Sequence, residues 1–267
     1  MKLLVAIPSK NRTETLMKYT WSWAKDLNQD VKIFVEPQDF PLYVEAGFPA
    51  DDMIELDKND QGLGYAKRFI QEYAFKNGYD VIFKLDDDTR GFTDFRKKIP
   101  TEQVPELVDK VLSEVMNVFE ENENLGAVAF PYSFHLFDEK KWEKVKKVQS
   151  SYLVRTGLLC PPHQFSVFED FAVGLNCLVS NFKVMKYGLI GQDVGVKVGA
   201  GTGGLQDFDR SALAEKEAEL LRTMYPPLMF KKVDIPIVTG KPGDKGDKGD
   251  TGLTGLQGIQ GLKGGSS

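Results

Sequence analysis

The stretch Asp80-Val81-Ile82-Phe83-Lys84-Leu85-Asp86-Asp87-Asp88-Thr89-Arg90 decides how the chain reads. Its first half holds Val81, Ile82, Phe83 and Leu85, a short apolar run of the kind that forms a buried strand. Its second half puts three carboxylates at the strand's end. Adjacent carboxylates repel one another and resist desolvation, so a buried strand that ends in them points to a use for them. Side chains alternate along extended backbone, which sets Asp86 and Asp88 on one face. Two such acids supply part of the shell of Mg²⁺ or Mn²⁺, ions that often complete their coordination from a substrate's phosphates. An acidic turn that simply ends a strand is the plain alternative. The residues before the strand shift the balance.

Upstream, Lys2 to Pro8 is rich in Leu, Val and Ile and predicts the first strand. Ser9-Lys10-Asn11-Arg12-Thr13-Glu14-Thr15 follows, with Thr13 and Thr15 as candidate caps of a helix through Leu16, Tyr19, Trp21 and Trp23. A loop that leaves a strand's C-terminal end and opens into a helix is where α/β sheets hold nucleotides. Val31 to Val35, closed by Glu36-Pro37, predicts a second strand, Phe40 to Phe48 a short helix and Met53 to Leu56 a third strand. This alternation predicts an α/β fold with a mostly parallel, Rossmann-like central sheet flanked by helices. Gly62 and Gly64 then precede a helix with Ala66, Phe69, Ile70, Tyr73 and Ala74, stopped by Asn77-Gly78. Glycines there let backbone lie close to phosphate or ribose oxygens, although G-x-G alone is more often a turn.

Downstream, Leu107, Val108, Val111, Leu112, Val115, Met116 and Phe119 recur at helical spacing and read as core. Gly126 to Tyr132 predicts a strand, and His135 to Lys147 a charged amphipathic segment. Phe168-Glu169-Asp170-Phe171 reads either as a catalytic acid pair or as a strand edge or turn. Asn176 to Asn181 looks strand-like, and Phe182 to Tyr187 suits a short helix stopped by Gly188. Residues 199 to 204 are dense in glycine, and Gln206-Asp207-Phe208-Asp209 follows before a helix from Ser211 to Met224. From Gly240 to Gly264 glycine falls at every third position, the collagen rule, in which only glycine fits the axis of three chains.

Composition narrows the class. Of 267 residues, 42% are hydrophobic and 27% charged, as in an ordinary soluble globular protein. No apolar run approaches the roughly 20 residues that span a bilayer, so no membrane partner is expected. The net charge of −5 gives no global footprint for nucleic acid, although Arg90, Arg96, Lys97 and Lys98 form a local basic cluster. Cys160 and Cys177 lack metal-ligand spacing and fit free thiols in a reducing cytoplasm. His135 and His163 are the only histidines, too few for a multi-histidine zinc site, and each reads first as structural.

Taken in order, Ile7-Pro8-Ser9-Lys10-Asn11-Arg12, the strand ending in Glu36, Gly62-Leu63-Gly64-Tyr65-Ala66-Lys67-Arg68 and the strand ending in Asp86-Asp87-Asp88 resemble the nucleotide-sugar half of GT-A glycosyltransferases. Asp86-Asp87-Asp88-Thr89-Arg90, Gly203-Gly204-Leu205-Gln206-Asp207-Phe208-Asp209 and the compact size are similar to the TET-associated glycosyltransferases of bacteriophages, which are thought to act on hydroxymethylated pyrimidines in DNA.

The resemblance implies a metal-dependent transfer from a nucleoside-diphosphate sugar, a UDP-sugar first among them, to an acceptor hydroxyl. It places Pro8, Ser9 and Arg12 along the base and ribose, with Glu36 reaching the nucleoside. Gly64 joins the donor-binding set, and Arg68 sits behind the ribose and carboxylates. Asp86 contacts ribose or metal, Asp88 binds the Mn²⁺ or Mg²⁺, and Asp87 joins the donor set as an additional acid outside the pattern. Asp207 is the implied catalytic base, although Gln206-Asp207 replaces the usual Glu-Asp pair. The implied layout is a transferase domain over residues 1–239, with a donor half to about 98 and an acceptor half from 99. A collagen-like tail occupies 240–267 and has a homotrimer as its possible assembly. The rival readings are a transferase acting on glycan, lipid or protein, a nucleotidyltransferase, and a trimeric structural protein that works through its tail.

Overall fold

In a computed structural model the protein is described over residues 1–94, 99–133, 140–148, 151–160, 165, 167–194 and 210–224. An eight-stranded sheet forms its centre. Strands β1 (Leu3–Pro8), β2 (Asp30–Val35), β3 (Met53–Glu55) and β4 (Val81–Lys84) build one half, all parallel, in the order β3-β2-β1-β4. Strands β6 (Leu125–Ala129), β7 (Trp142–Val145), β8 (Tyr152–Arg155) and β9 (Lys183–Tyr187) extend it as β8-β6-β9-β7. There β8 runs antiparallel to β4 and β6, β9 parallel to β6, and β7 antiparallel to β9. A separate antiparallel pair, β5 (Thr89–Asp94) with β10 (Ile190–Val194), lies beyond the end of β4.

Both faces of the sheet are covered, which is why β1 and, up to Lys84, β4 are apolar on both faces rather than alternating. On one face Val5, Ile7, Phe83 and Leu85 pack with Trp21 and Trp23 of helix α2 (Trp21–Ala24), Tyr43 of α3 (Phe40–Glu45) and the apolar stripe of α5 (Val104–Glu121). On the other, Leu4, Ala6 and Ile82 pack with Ala66, Ile70 and Ala74 of α4 (Leu63–Lys76) and with Val173 and Cys177 of α6 (Glu169–Val179). The stretch read as one helix from Thr13 is in fact two, α1 (Thr13–Lys18) and α2, and Arg12 rather than a threonine stands at the N-cap. Helix α7 (Arg210–Met224) matches the expected helix and packs on α6.

Two expectations fail. Asn176 to Asn181 belongs largely to α6, and Phe182 to Tyr187 supplies strand β9. An apolar run of five or six residues carries no decisive period, so helix and strand are hard to separate there. Helix α6 is apolar on two sides because it is sandwiched: Val173 and Cys177 meet the sheet while Ala172 and Leu175 meet α7. A Cβ at Gly174 would lie 2.5 Å from the Lys146 carbonyl oxygen, so only glycine lets α6 approach the chain at Lys146 and Lys147. The segment His135 to Lys147 contributes the edge strand β7 over its described part. His135, His163, Asp207, Asp209 and the glycine-repeat tail lie outside the described residues, as do Arg96 to Lys98.

Candidate active site

The strand order reverses direction between β1 and β4, because β2 and β3 lie on one side of β1 and β4 on the other. In open α/β sheets ligands bind at such a switch point, outside the carboxyl ends of the strands. The loop after Pro8 and the acids after Lys84 occupy this position. Thr20 holds the acid turn in place: its hydroxyl donates to the Asp86 carbonyl (2.6 Å) and accepts from the Thr89 amide (2.8 Å), and the Trp23 indole N–H donates to the Thr89 carbonyl (3.0 Å). The break between α1 and α2 puts Thr20 there.

The three aspartates leave the turn with different surroundings. Asp87 points into the protein, its side chain 7% exposed, against 27% for Asp86 and 20% for Asp88. It accepts a hydrogen bond from Ser9 Oγ (2.7 Å) and pairs with Arg12 Nη1 (2.7 Å), while Ser9 Oγ accepts from the buried Tyr43 hydroxyl (2.7 Å). Burial raises the Asp87 carboxyl to about 7, with Arg12 pulling the other way. Burial also lifts Tyr43 to about 12 and keeps it a donor. Asp87 and Ser9, both expected to meet the donor, form an internal clasp between β1 and β4.

Asp86 and Asp88 remain partly open. Burial raises the Asp88 carboxyl, and the charge of Asp86 raises it further, against Arg12 and Lys84. Arg12 Nη2 reaches Asp88 Oδ2 at 3.3 Å. This mutual repulsion between two oxygen-donor acids fits a small divalent cation. Among the described residues no group of three His, Cys, Asp or Glu side chains could hold a metal alone, so further ligands would have to come from substrate or water.

Behind Asp86 lies a buried charged cluster. Lys84 of β4, 1% exposed, pairs with Asp86 and lies 3.7 Å from Glu169 Oε1. Lys67 of α4, 3% exposed, pairs with Glu169 and donates to the Tyr152 hydroxyl at 2.7 Å. Burial, and then Lys84, push Lys67 down to about 7. For Lys84 burial acts downward too, but Asp86 and Asp170 outweigh it and the ammonium is held above its ordinary value. Asp170, beside Glu169 in the first turn of α6, has a buried Oδ1 with no hydrogen-bond partner among the described residues. Burial raises its carboxyl above the usual range, opposed by Lys84 and Lys67.

Sequence reasoning missed these lysines; Arg68, expected behind the ribose and carboxylates, is exposed, and Lys67, one residue earlier, is buried. A lysine inside the apolar run Val81–Leu85 was the available clue, because an unpaired charge there would be costly. Of the other expected donor residues, Pro8 ends β1, and Gly64 is buried in the first turn of α4, which Gly62 caps at φ 81°. Glu36 is buried at the end of β2. It accepts from the Asp60 amide (3.0 Å) and Gln38 Nε2 (2.8 Å) and pairs with Lys10 (3.2 Å), stitching β2 to the loop before α4. Both cysteines are free.

The sequence profile of the family described as TET-Associated Glycosyltransferase matches residues 3–189, and the chain belongs to that family. No curated protein matches it in sequence. Its fold is similar to that of Staphylococcus aureus TarS, residues 1–349, in complex with UDP-GlcNAc, at 13% identity, 86% coverage of this chain, 69% of the other and a TM-score of 0.51. A CMP:2-keto-3-deoxy-manno-octonic acid synthetase in complex with CTP aligns at 12% identity over 84% of this chain and 100% of the other (TM-score 0.45). A putative nucleotide-diphospho-sugar transferase from Desulfovibrio desulfuricans aligns at 16% identity over 84% and 98% (TM-score 0.41). At these identities the likeness concerns the fold alone. The chain is thus a glycosyltransferase-family protein with a GT-A-like α/β fold.

Proposed function

We propose that the protein transfers a sugar from a nucleoside diphosphate to an acceptor hydroxyl at the end of β4. The observation that carries this reading is the meeting of two half-sites. Asp86 and Asp88, at the switch point, face a second acid pair, Glu169 and Asp170, across Lys84 and Lys67. Family membership sets the reaction class, and the TarS complex holds a UDP-sugar on the same fold. Asp86 and Asp88 would hold Mn²⁺ or Mg²⁺; when bound, such an ion neutralises the charge that grows on the departing diphosphate. Arg12 pairs with Asp88 and Lys84 with Asp86, which orients the two carboxylates.

Asp170 takes the proton. Its partly desolvated, raised carboxyl suits a general base better than an ordinary aspartate does. The acceptor oxygen bonds to the anomeric carbon, the bond from that carbon to the diphosphate breaks, and the hydroxyl proton passes to Asp170. In this reading Asp170 takes the role that the sequence assigned to Asp207, which lies outside the described residues, and Asp207→Asn is the control. The acceptor in our reading is a hydroxymethylated pyrimidine in DNA, a base that must leave the stack to reach a buried acid.

Thermal shift against nucleoside diphosphates and their sugars, with and without Mn²⁺, tests the donor site. A ligand that binds only the folded state raises its apparent stability. A metal-dependent rise with one nucleotide is expected, and a flat response across the panel would sink the reading.

A further inference from the structure

Helix α6 carries Glu169 and Asp170 in its first turn, yet it starts badly. Its N-cap residue is Phe168, whose side chain cannot accept a hydrogen bond. Support for the entry into α6 comes from another helix. Glu217 of α7, only 4% exposed, takes the Val167 and Phe168 amides on one oxygen, Oε2, each at 2.9 Å. A carboxylate at that point also complements the positive end of the α6 dipole. Among the described residues an apolar cluster surrounds it: Ala218 and Leu221 of α7 lie against Ala172 and Leu175 of α6, with Phe165. Glu217 is thus a buried acid beside an apolar cluster, which marks it as more than packing. It also lies beyond residues 3–189, the span the family profile matches.

We infer that Glu217 is a positioning residue, which fixes the start of α6 and so the placement of Glu169 and Asp170 against Lys67 and Lys84. The inference deepens the transferase reading and rests on it for its kinetic part. The acid pair is held from two sides. Lys67 of α4 and Lys84 of β4 grip Glu169 from one side, and Glu217 of α7 grips the two backbone amides just before it from the other. Without Glu217 those amides lose their partner and the first turn of α6 is free to fray. Small misplacements of a reacting group are costly, on the order of a hundredfold in rate per ångström.

The test compares E217A with E217Q in the full chain, because glutamine keeps an acceptor oxygen at the same reach. E217A is expected to lower kcat about tenfold to a hundredfold while the donor KM stays near that of the parent, with faster hydrogen exchange confined to the amides of residues 167–172. E217Q restores both readouts. Parental kcat and exchange in E217A would overturn the inference. So would a general loss of stability and donor affinity in both variants, which would make Glu217 merely structural. If the parent chain transfers no sugar, the transferase reading falls, and the exchange comparison still decides whether Glu217 fixes the start of α6.

Discussion

Asp86 and Asp87 are neighbours in sequence and leave the same turn into two different environments. The Asp87 side is closed and local: one carboxylate, one hydroxyl from Ser9, and one guanidinium from Arg12 that also reaches Asp88, with Tyr43 completing the chain of hydrogen bonds; Arg12 Nε has no partner among the described residues. Its partners all come from the first 43 residues, and they lock β1 to β4. The Asp86 side draws on distant parts of the chain: Lys84 from the strand, Lys67 from α4, Glu169 and Asp170 from α6. Two lysines there face three acids, and one carboxylate oxygen of Asp170 has no hydrogen-bond partner among the described residues. A hydrogen-bonded ion pair between neighbouring strands rigidifies, whereas a buried cluster with an excess of acid stores cost that a ligand's charge or a transferred proton can relieve. The difference separates the part of the triplet that holds the fold from the part available for chemistry.

The sharpest way to break this comparison is to remove one acid from each side. Asp88→Ala is expected to abolish the Mn²⁺-dependent thermal shift with nucleotide, whereas Asp87→Asn keeps the shift at a lower starting stability. Equal loss of the shift in both would erase the distinction.

Asp170→Asn should lower kcat by about 10²- to 10⁴-fold, the usual worth of a general base. Its effect on stability runs the opposite way. The Asp170 carboxyl is raised in the folded state, above about 3.9 in the unfolded chain. Its contribution to stability is therefore full below the unfolded value and is lost as pH rises through the folded one. Asparagine carries no such loss, so the variant should melt no lower than the parent at pH 8, with any advantage shrinking toward pH 4. Melting curves across that range check the sign, and a deficit that grows with pH would refute it.

Lys84→Met probes the charged side from beneath. It leaves Asp86 and Glu169 without their shared cation and should cost about 3–5 kcal/mol, the usual penalty for breaking a buried pair. A loss under about 1 kcal/mol in urea unfolding would mean that solvent already screens the cluster.

Much of the first 94 residues could be read in advance. The apolar runs Leu3–Ile7, Ile33–Val35 and Val81–Phe83 are strands buried on both faces, and local pattern suffices to find those. The alternation that set Asp86 and Asp88 apart from Asp87 could also be read, because it follows from extended backbone alone. The contacts of Ser9 and Glu36 and the exposure of Arg68 could not. Ser9 and Glu36 sit where the pattern put them, but each turns inward to a partner 24 to 78 residues away. At Arg68 a helical rotation of one residue exchanges an exposed arginine for the buried Lys67. In the second half, α6 and β9 were misread because short apolar runs have no period of their own; α7 on one and β7 on the other decided the outcome.

By itself, the sequence determined the strand–helix alternation, the acid triplet at the end of β4 and membership of a glycosyltransferase family, since these depend on local spacing and residue type. Only the tertiary structure decided which acid closes the fold and which stays open, that Lys67 and Lys84 stand behind Asp86, and that Glu217 holds the two residues leading into the helix that carries Asp170. Those outcomes depend on which side chains meet after the chain has folded, and charges separated by tens of residues have no electrostatic relation until burial removes the water between them.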